Sequence, residues 1–315
     1  MKEIGGYFQL EHGSNLHFHK GVVKLNSARN ALRCIVRALR IKYIYVPYYT
    51  CPVVWDVLRE EKCEILPYDL DDNFMPLLAS SEIPLLYTNY FGLTSKNIEK
   101  IKKKFLKIII DNAQAFYASP EGVACFWSPR KFFGLPDGGV MWPKFDFAEK
   151  LPLSESWYRC SHLLKRWDKG ANAAYEDFQQ NEASLDKEIP MGMSRLTSAM
   201  MSILDYKKIA HLRLRNFTIL HKELGHENLL QIDIEDEILS GSVPMVYPFQ
   251  CKDENLRKYL IKNKIYVAKY WPQKKGCECM HSSSAKKLAN EILPLPIDQR
   301  YNEKDMMHIV EVIHG

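Results

Sequence analysis

The stretch from Ile108 to Trp142 reads IIIDNAQAFYASPEGVACFWSPRKFFGLPDGGVMW. Its first apolar run ends in Asp111, with Gln114 three residues on. A second run, Val123 to Trp127, leads into Ser128-Pro129-Arg130-Lys131, and Gly134-Leu135-Pro136-Asp137-Gly138-Gly139 leads into a third apolar step, Val140-Met141-Trp142. An acid at one strand end and a lysine at the next are what a pyridoxal phosphate (PLP) site needs. The lysine carries the cofactor covalently, and the acid keeps the pyridine nitrogen protonated so that the ring accepts electrons.

Upstream, short apolar runs alternate with helical patterns. Tyr43-Ile44-Tyr45-Val46 reads as a strand ended by Pro47, with Tyr48-Tyr49-Thr50 as its loop and a helix over Pro52–Glu60. Cys63–Tyr68 and Pro84–Tyr87 read as further strands, the latter ending in Asn89–Gly92. Ser95 reads as the cap of a basic helix, 96–104, whose lysines form a solvated face. This alternation predicts a mostly parallel α/β sheet, which binds ligands at the carboxyl ends of its strands.

A helix is predicted from Asn26 or Ser27 to about Arg40, with Ala31, Leu32, Ile35, Val36 and Leu39 as its apolar stripe and Ser27 as its cap. Its N-terminus is either a phosphate site, favoured by free N–H groups and the helix dipole, or a plain capped helix. Residues 1–25 read as loop. His12, His17 and His19 there are surface or hydrogen-bonded histidines in preference to a metal trio.

Downstream, 150–193 is polar, helical and dotted with aromatics, and one long helix is expected over 195–223. Strands at Pro244–Phe249 and Tyr266–Lys269 and helices at Asn255–Lys262 and Glu303–Ile313 imply a compact second domain. The expected division is a large domain, 1–195, with 1–20 as an arm packing on the small domain. The linking helix and small domain occupy 196–315.

The bulk figures suit an enzyme of about two domains. The 315 residues carry a net charge of +5, too small and scattered to suggest nucleic acid. No apolar leader or membrane span is visible. The 8 cysteines include no C-x-x-C pair, and Cys277-Glu278-Cys279 near His281 is a poor metal case, so free thiols in a reducing cytosol are expected.

The residues Leu25-Asn26-Ser27-Ala28-Arg29-Asn30-Ala31-Leu32, Val46-Pro47-Tyr48-Tyr49-Thr50, Asp111-Asn112-Ala113-Gln114-Ala115, Ser128-Pro129-Arg130-Lys131 with Gly138-Gly139, and Ile292-Leu293-Pro294-Leu295-Pro296-Ile297 occur in that order. In this combination the chain resembles the DegT–DnrJ–StrS family, PLP-dependent aminotransferases of fold type I that mostly act on nucleotide-linked keto sugars. The resemblance implies catalytic roles for Lys131, which carries the cofactor, and Asp111, which bonds the pyridine nitrogen. It places Gln114 near the ring's phenolic oxygen or face and Ser27, Ala28 and Arg29 at the phosphate, with Ser128 replacing a phosphate-binding serine whose usual position is Phe126. The aromatic that usually stacks on the ring follows Thr50. Cys51 stands there instead, leaving Tyr48, Tyr49 or Tyr90 to supply that face.

The resemblance further implies amino transfer from an amino acid donor, glutamate, to a keto sugar, nucleotide-linked, for surface polysaccharide. It also implies a cytoplasmic homodimer with a shared site. A dehydratase of the same family would carry histidine at Lys131, and a silent fold-type-I binding protein is the remaining rival. Taken singly, Lys131 also fits a surface lysine, Asp111 a helix N-cap, Arg29 a surface residue, and Tyr247, Tyr270 and Trp271 either pocket or core aromatics.

Overall fold

A computed structural model of the chain describes residues 10, 13, 18–271 and 281–315. Its first half runs β1 (Val23–Leu25), α1 (Ala28–Ala38), β2 (Tyr43–Pro47), α2 (Pro52–Glu60), β3 (Glu64–Tyr68), β4 (Leu85–Thr88), α3 (Ser95–Lys102), β5 (Ile108–Asn112), β6 (Ala124–Trp127) and β7 (Gly139–Trp142). The strands form one sheet in the order β1-β7-β6-β5-β4-β2-β3. Neighbours from β3 to β6 are parallel, while β7 runs antiparallel to both β6 and β1. The expected mostly parallel sheet is present, and the carboxyl ends of β4, β5 and β6 lie together.

Alternation along β5 sets the two faces. Ile109 packs with Leu32, Ile35, Trp55 and Phe126 beneath α1 and α2. Ile108 and Ile110 face a larger cluster that continues, through Phe217 and Leu220, to Tyr247 and Leu295.

The second half runs α4 (Asp146–Glu149), α5 (Ser161–Lys169), α6 (Tyr175–Leu185), α7 (Arg195–Ser202), α8 (Tyr206–Leu224), α9 (Ile234–Leu239), β8 (Tyr247–Gln250), α10 (Leu256–Lys262), α11 (Ser283–Glu291), β9 (Ile292–Leu295) and α12 (Glu303–His314). β8 and β9 pair antiparallel as a second, two-stranded sheet.

Several expectations need correction. Val23–Leu25 is a strand, held by β7, inside the stretch expected to be loop. The helix expected over 195–223 is two helices, α7 and α8. Each has its own cap: Ser194 accepts from the Thr197 N–H and Asp205 from the Lys208 N–H. Tyr266–Lys269 forms no strand, and the partner of β8 is Ile292–Leu295. Ser95 is the first residue of α3, with Thr94 at the cap position, and the helix ends at Lys102. Of the histidine trio only His19 lies within the described residues. Its Nε2 meets the Phe116 carbonyl at 2.7 Å and its ring lies 4.2 Å from that of Trp127, so it is a hydrogen-bonded histidine. Cys277 to Cys279 lie outside the described residues.

Candidate active site

Asp111 occupies the fourth position of β5, paired with Thr88 of β4 and Phe126 of β6. No helix follows it, so it is not a helix cap. It is buried, and its Oδ1 accepts the Ala113 N–H at 2.8 Å. Among the described residues no donor reaches Oδ2. Burial pushes its carboxyl above the usual carboxylate range, opposed by the charge of Lys131 and by the Ala113 bond. A carboxylate so placed is stabilised by a cationic N–H.

Lys131 ends a single helical turn after β6 and is exposed. Its backbone N–H bonds the carbonyl of Ser128, which is itself buried. The ammonium acts electrostatically on both Asp111 and Cys51. Cys51, whose thiol burial pushes up, also feels Arg29.

Gln114 is completely buried. Its Oε1 accepts the Phe91 N–H at 2.8 Å, and its Nε2 has no partner. An unpaired buried amide N–H is costly, on the order of 1–3 kcal/mol, so a group accepting from it is expected.

The turn from β1 into α1 carries Ser27, Ala28 and Arg29. Ser27 Oγ caps the helix by accepting the Asn30 N–H at 3.1 Å. Gly138 donates its N–H to the Asn26 carbonyl at 2.7 Å. A Cβ at Gly139 would lie 2.1 Å from the Ser27 carbonyl carbon and 2.4 Å from the Ala28 nitrogen. The Gly138-Gly139 pair therefore seats the start of β7 directly on the helix N-terminus. Asn26 and Asn30 both bond the Ile189 carbonyl at 2.9 Å, fixing the turn from outside.

The Arg29 guanidinium points away from the helix axis to the end of α6, bonding the Leu185 carbonyl at 2.6 Å and pairing with Asp186. Only its backbone lies in the turn. The Phe126 side chain belongs to the core under α1 and α2.

Tyr49 is buried with its hydroxyl unpartnered. Its ring stacks on Tyr90 at 5.7 Å and meets the edge of Trp271 at 4.9 Å. Tyr270 acts electrostatically on both Tyr49 and Arg213. Tyr247, by contrast, is core: it is fully buried against Phe217.

Two anchors of the Lys131 loop were not singled out from sequence. Arg213 of α8 donates to the carbonyls of Met245 at 2.9 Å and of Phe132 at 3.2 Å. Asp137, buried, accepts from the hydroxyls of Thr197 and Ser154. Only Asp137, within the Gly134–Gly139 turn, gave any signal in the sequence.

Two features of the chain suit PLP: the buried carboxylate lacking a donor at Oδ2, and the orphaned Gln114 amide. The helix N-terminus seated on Gly139 suits its phosphate. Among the described residues no group of three histidine, cysteine or acidic side chains could hold a metal ion.

No protein-family model matches the chain, and no curated protein matches it by sequence. Solved structures do. A DegT DnrJ EryC1 StrS aminotransferase from Brucella abortus is 18% identical with a TM-score of 0.62, over 93% of this chain and 85% of that one. The sugar aminotransferase CalS13 from Micromonospora echinospora is 13% identical with a TM-score of 0.60, over 93% and 86%. Spr1654 from Streptococcus pneumoniae, in its PLP form, is 13% identical with a TM-score of 0.62, over 93% and 86%. The chain therefore has the α/β fold of the DegT–DnrJ–EryC1–StrS aminotransferases, fold type I.

Proposed function

We propose that the protein is a PLP-dependent aminotransferase. It moves an amino group from an amino acid donor, glutamate, to a keto sugar, nucleotide-linked, in surface polysaccharide synthesis. The observation that carries this reading is the buried Asp111 at the end of β5, which feels the charge of Lys131 just after β6 and is followed by the orphaned amide of Gln114. PLP, when bound, supplies an electron-accepting ring. Asp111 would hold a proton on the pyridine nitrogen, Gln114 Nε2 would donate to the ring oxygen, and the first turn of α1, with Ser27 and Ser128, would hold the phosphate. Arg29 contributes there through its backbone, its guanidinium being engaged by Asp186. Lys131 would hold the cofactor through its amine and, once displaced by the amino donor, would move the proton to and from the substrate carbon. Tyr49, stacked on Tyr90, would supply a ring face for the cofactor.

The same reading makes residues 1–195 the cofactor domain and 196–315 the small domain, and takes the working form as a cytoplasmic homodimer with a shared site. Among the described residues no helix is long and apolar enough to cross a membrane. The test is direct. Purified protein supplied with PLP is expected to be yellow, and Lys131→Ala to lose that visible absorbance. Colourless wild-type protein that takes up no PLP overturns the reading. Yellow protein that never forms 2-oxoglutarate from glutamate, across a panel of keto sugars, points to a silent binding protein.

A further inference from the structure

Near the end of α6 (Tyr175–Leu185), Glu182 and Asp186 stand four positions apart and so share one side of the helix. Glu182 pairs with Arg130, the residue before Lys131. Asp186 pairs with Arg29, in the turn that opens α1, and the Leu185 carbonyl accepts from the same guanidinium at 2.6 Å. Asn181 adds a bond from its amide to the Pro136 carbonyl at 2.9 Å. Just past the helix, the Ile189 carbonyl holds Asn26 and Asn30. One short element thus grips both the loop that carries the lysine and the turn at the start of α1.

The two ion pairs are lopsided. The arginine side chains are 15% and 16% exposed, whereas their acids are 61% and 45% exposed. Each guanidinium is largely out of water and leans on an acid at the surface. Among the described residues the Arg130 side chain bonds only Glu182, and its Nε has no partner. Removing the acid leaves a mostly buried charge unpaired, so the segment that carries it must move to bring it to water. For Arg130 that segment is the single turn ending in Lys131, and for Arg29 it is the first turn of α1.

We infer that Glu182 and Asp186 are positioning residues for cofactor capture. Acting through Arg130 and Arg29, they fix the spacing between Lys131 and the turn that receives the phosphate. This deepens the aminotransferase reading and rests on it. The sign of the effect separates positioning from simple charge. Two carboxylates near a phosphate site would repel the anion, so neutralising them would tighten binding if charge alone mattered. Positioning demands the reverse.

The experiment is a PLP titration followed by visible absorbance, with the unfolding midpoint of the cofactor-free protein measured alongside. The variants are Glu182→Gln, Asp186→Asn, Arg130→Met, Arg29→Met and the doubles Arg130→Met/Glu182→Gln and Arg29→Met/Asp186→Asn. Asp177→Asn is the control, because it breaks the 2.7 Å pair with Lys165 between α5 and α6 and touches neither loop. Glu182→Gln and Asp186→Asn should each raise the PLP concentration for half-maximal colour roughly fivefold, the upper end for a pair half open to water. Their midpoints should shift no more than that of Asp177→Asn, whose PLP uptake should match wild type. Each double should take up PLP no more weakly than its arginine single, because the acid acts through that arginine. Unchanged or tighter uptake in either acid variant overturns the inference, as do additive losses in the doubles or a loss of uptake that only follows a lowered midpoint. Wild-type protein that takes up no PLP overturns the aminotransferase reading and this inference with it, whereas normal uptake by wild type and by the acid variants overturns this inference alone.

Discussion

At Asp111 two demands oppose each other. Burial disfavours its charge, while the Ala113 N–H and Lys131 favour it. A pyridinium partner would resolve the conflict. Asp111→Asn keeps the shape and the Ala113 bond but removes the charge, so turnover is expected to fall roughly 10²–10⁴-fold with PLP still bound, as measured in steady-state assays against the absorbance of bound cofactor. His19 makes a separate prediction about pH. Burial lowers it from 6.5 to about 4, despite its bond to Phe116. Between those values the unfolded chain takes up a proton that the folded chain refuses, so stability falls as pH drops through that window and the loss levels off below it. The full effect is at most about 3 kcal/mol. Denaturant unfolding at pH 7 and pH 5 should show the drop in wild type and a smaller one in His19→Gln. Asp111, Gln114 and Lys131 were legible in the sequence because each follows an apolar run within one short stretch. The engagement of Arg29 was not, because Asp186 is 157 positions away and no local spacing signals it.

Among elements, the seat of β7 on α1 is the most demanding. At Gly139 any side chain would meet Ser27 and Ala28 backbone atoms at 2.1–2.4 Å, far inside van der Waals contact. Gly139→Ala should shift the helix N-terminus, with a stability loss of about 1–3 kcal/mol and weaker PLP uptake, readable as a lower unfolding midpoint and a higher PLP concentration for half-maximal colour. The break between α7 and α8 is set by a cap that propensity alone did not announce. Asp205→Ala should remove that bond at about 1 kcal/mol, a fall of roughly 2–4 °C in thermal midpoint, while leaving colour intact. The first sheet was readable because its parallel strands are short and wholly buried. The second was half hidden. β9 contains Pro294, which faces Pro248 in register. Prolines argue against a strand unless it is an edge, and in a pair both strands are edges. Tyr266–Lys269 has strand-like composition but pairs with no strand among the described residues.

For the whole molecule the prediction is assembly. Sedimentation should give twice the 36.7 kDa chain mass, and a strictly monomeric yellow enzyme would remove the shared site from the proposal. Fold class and the candidate acid, glutamine and lysine could be read from one chain because they lie at or just past the ends of adjacent apolar strands. The Tyr49–Trp271 contact could not, because it joins segments distant in sequence. The pairing of β1 with β7 carries a last consequence, in the order of events during synthesis. β1 docks on residues on the order of a hundred positions further along the chain, so this edge of the sheet cannot form until β7 has left the ribosome. The turn holding Ser27 must wait, loosely tethered, while β2 to β6 assemble. In refolding, the strands carrying Asp111 should therefore gain amide protection before the helix N-terminus does, and PLP capture should lag behind both.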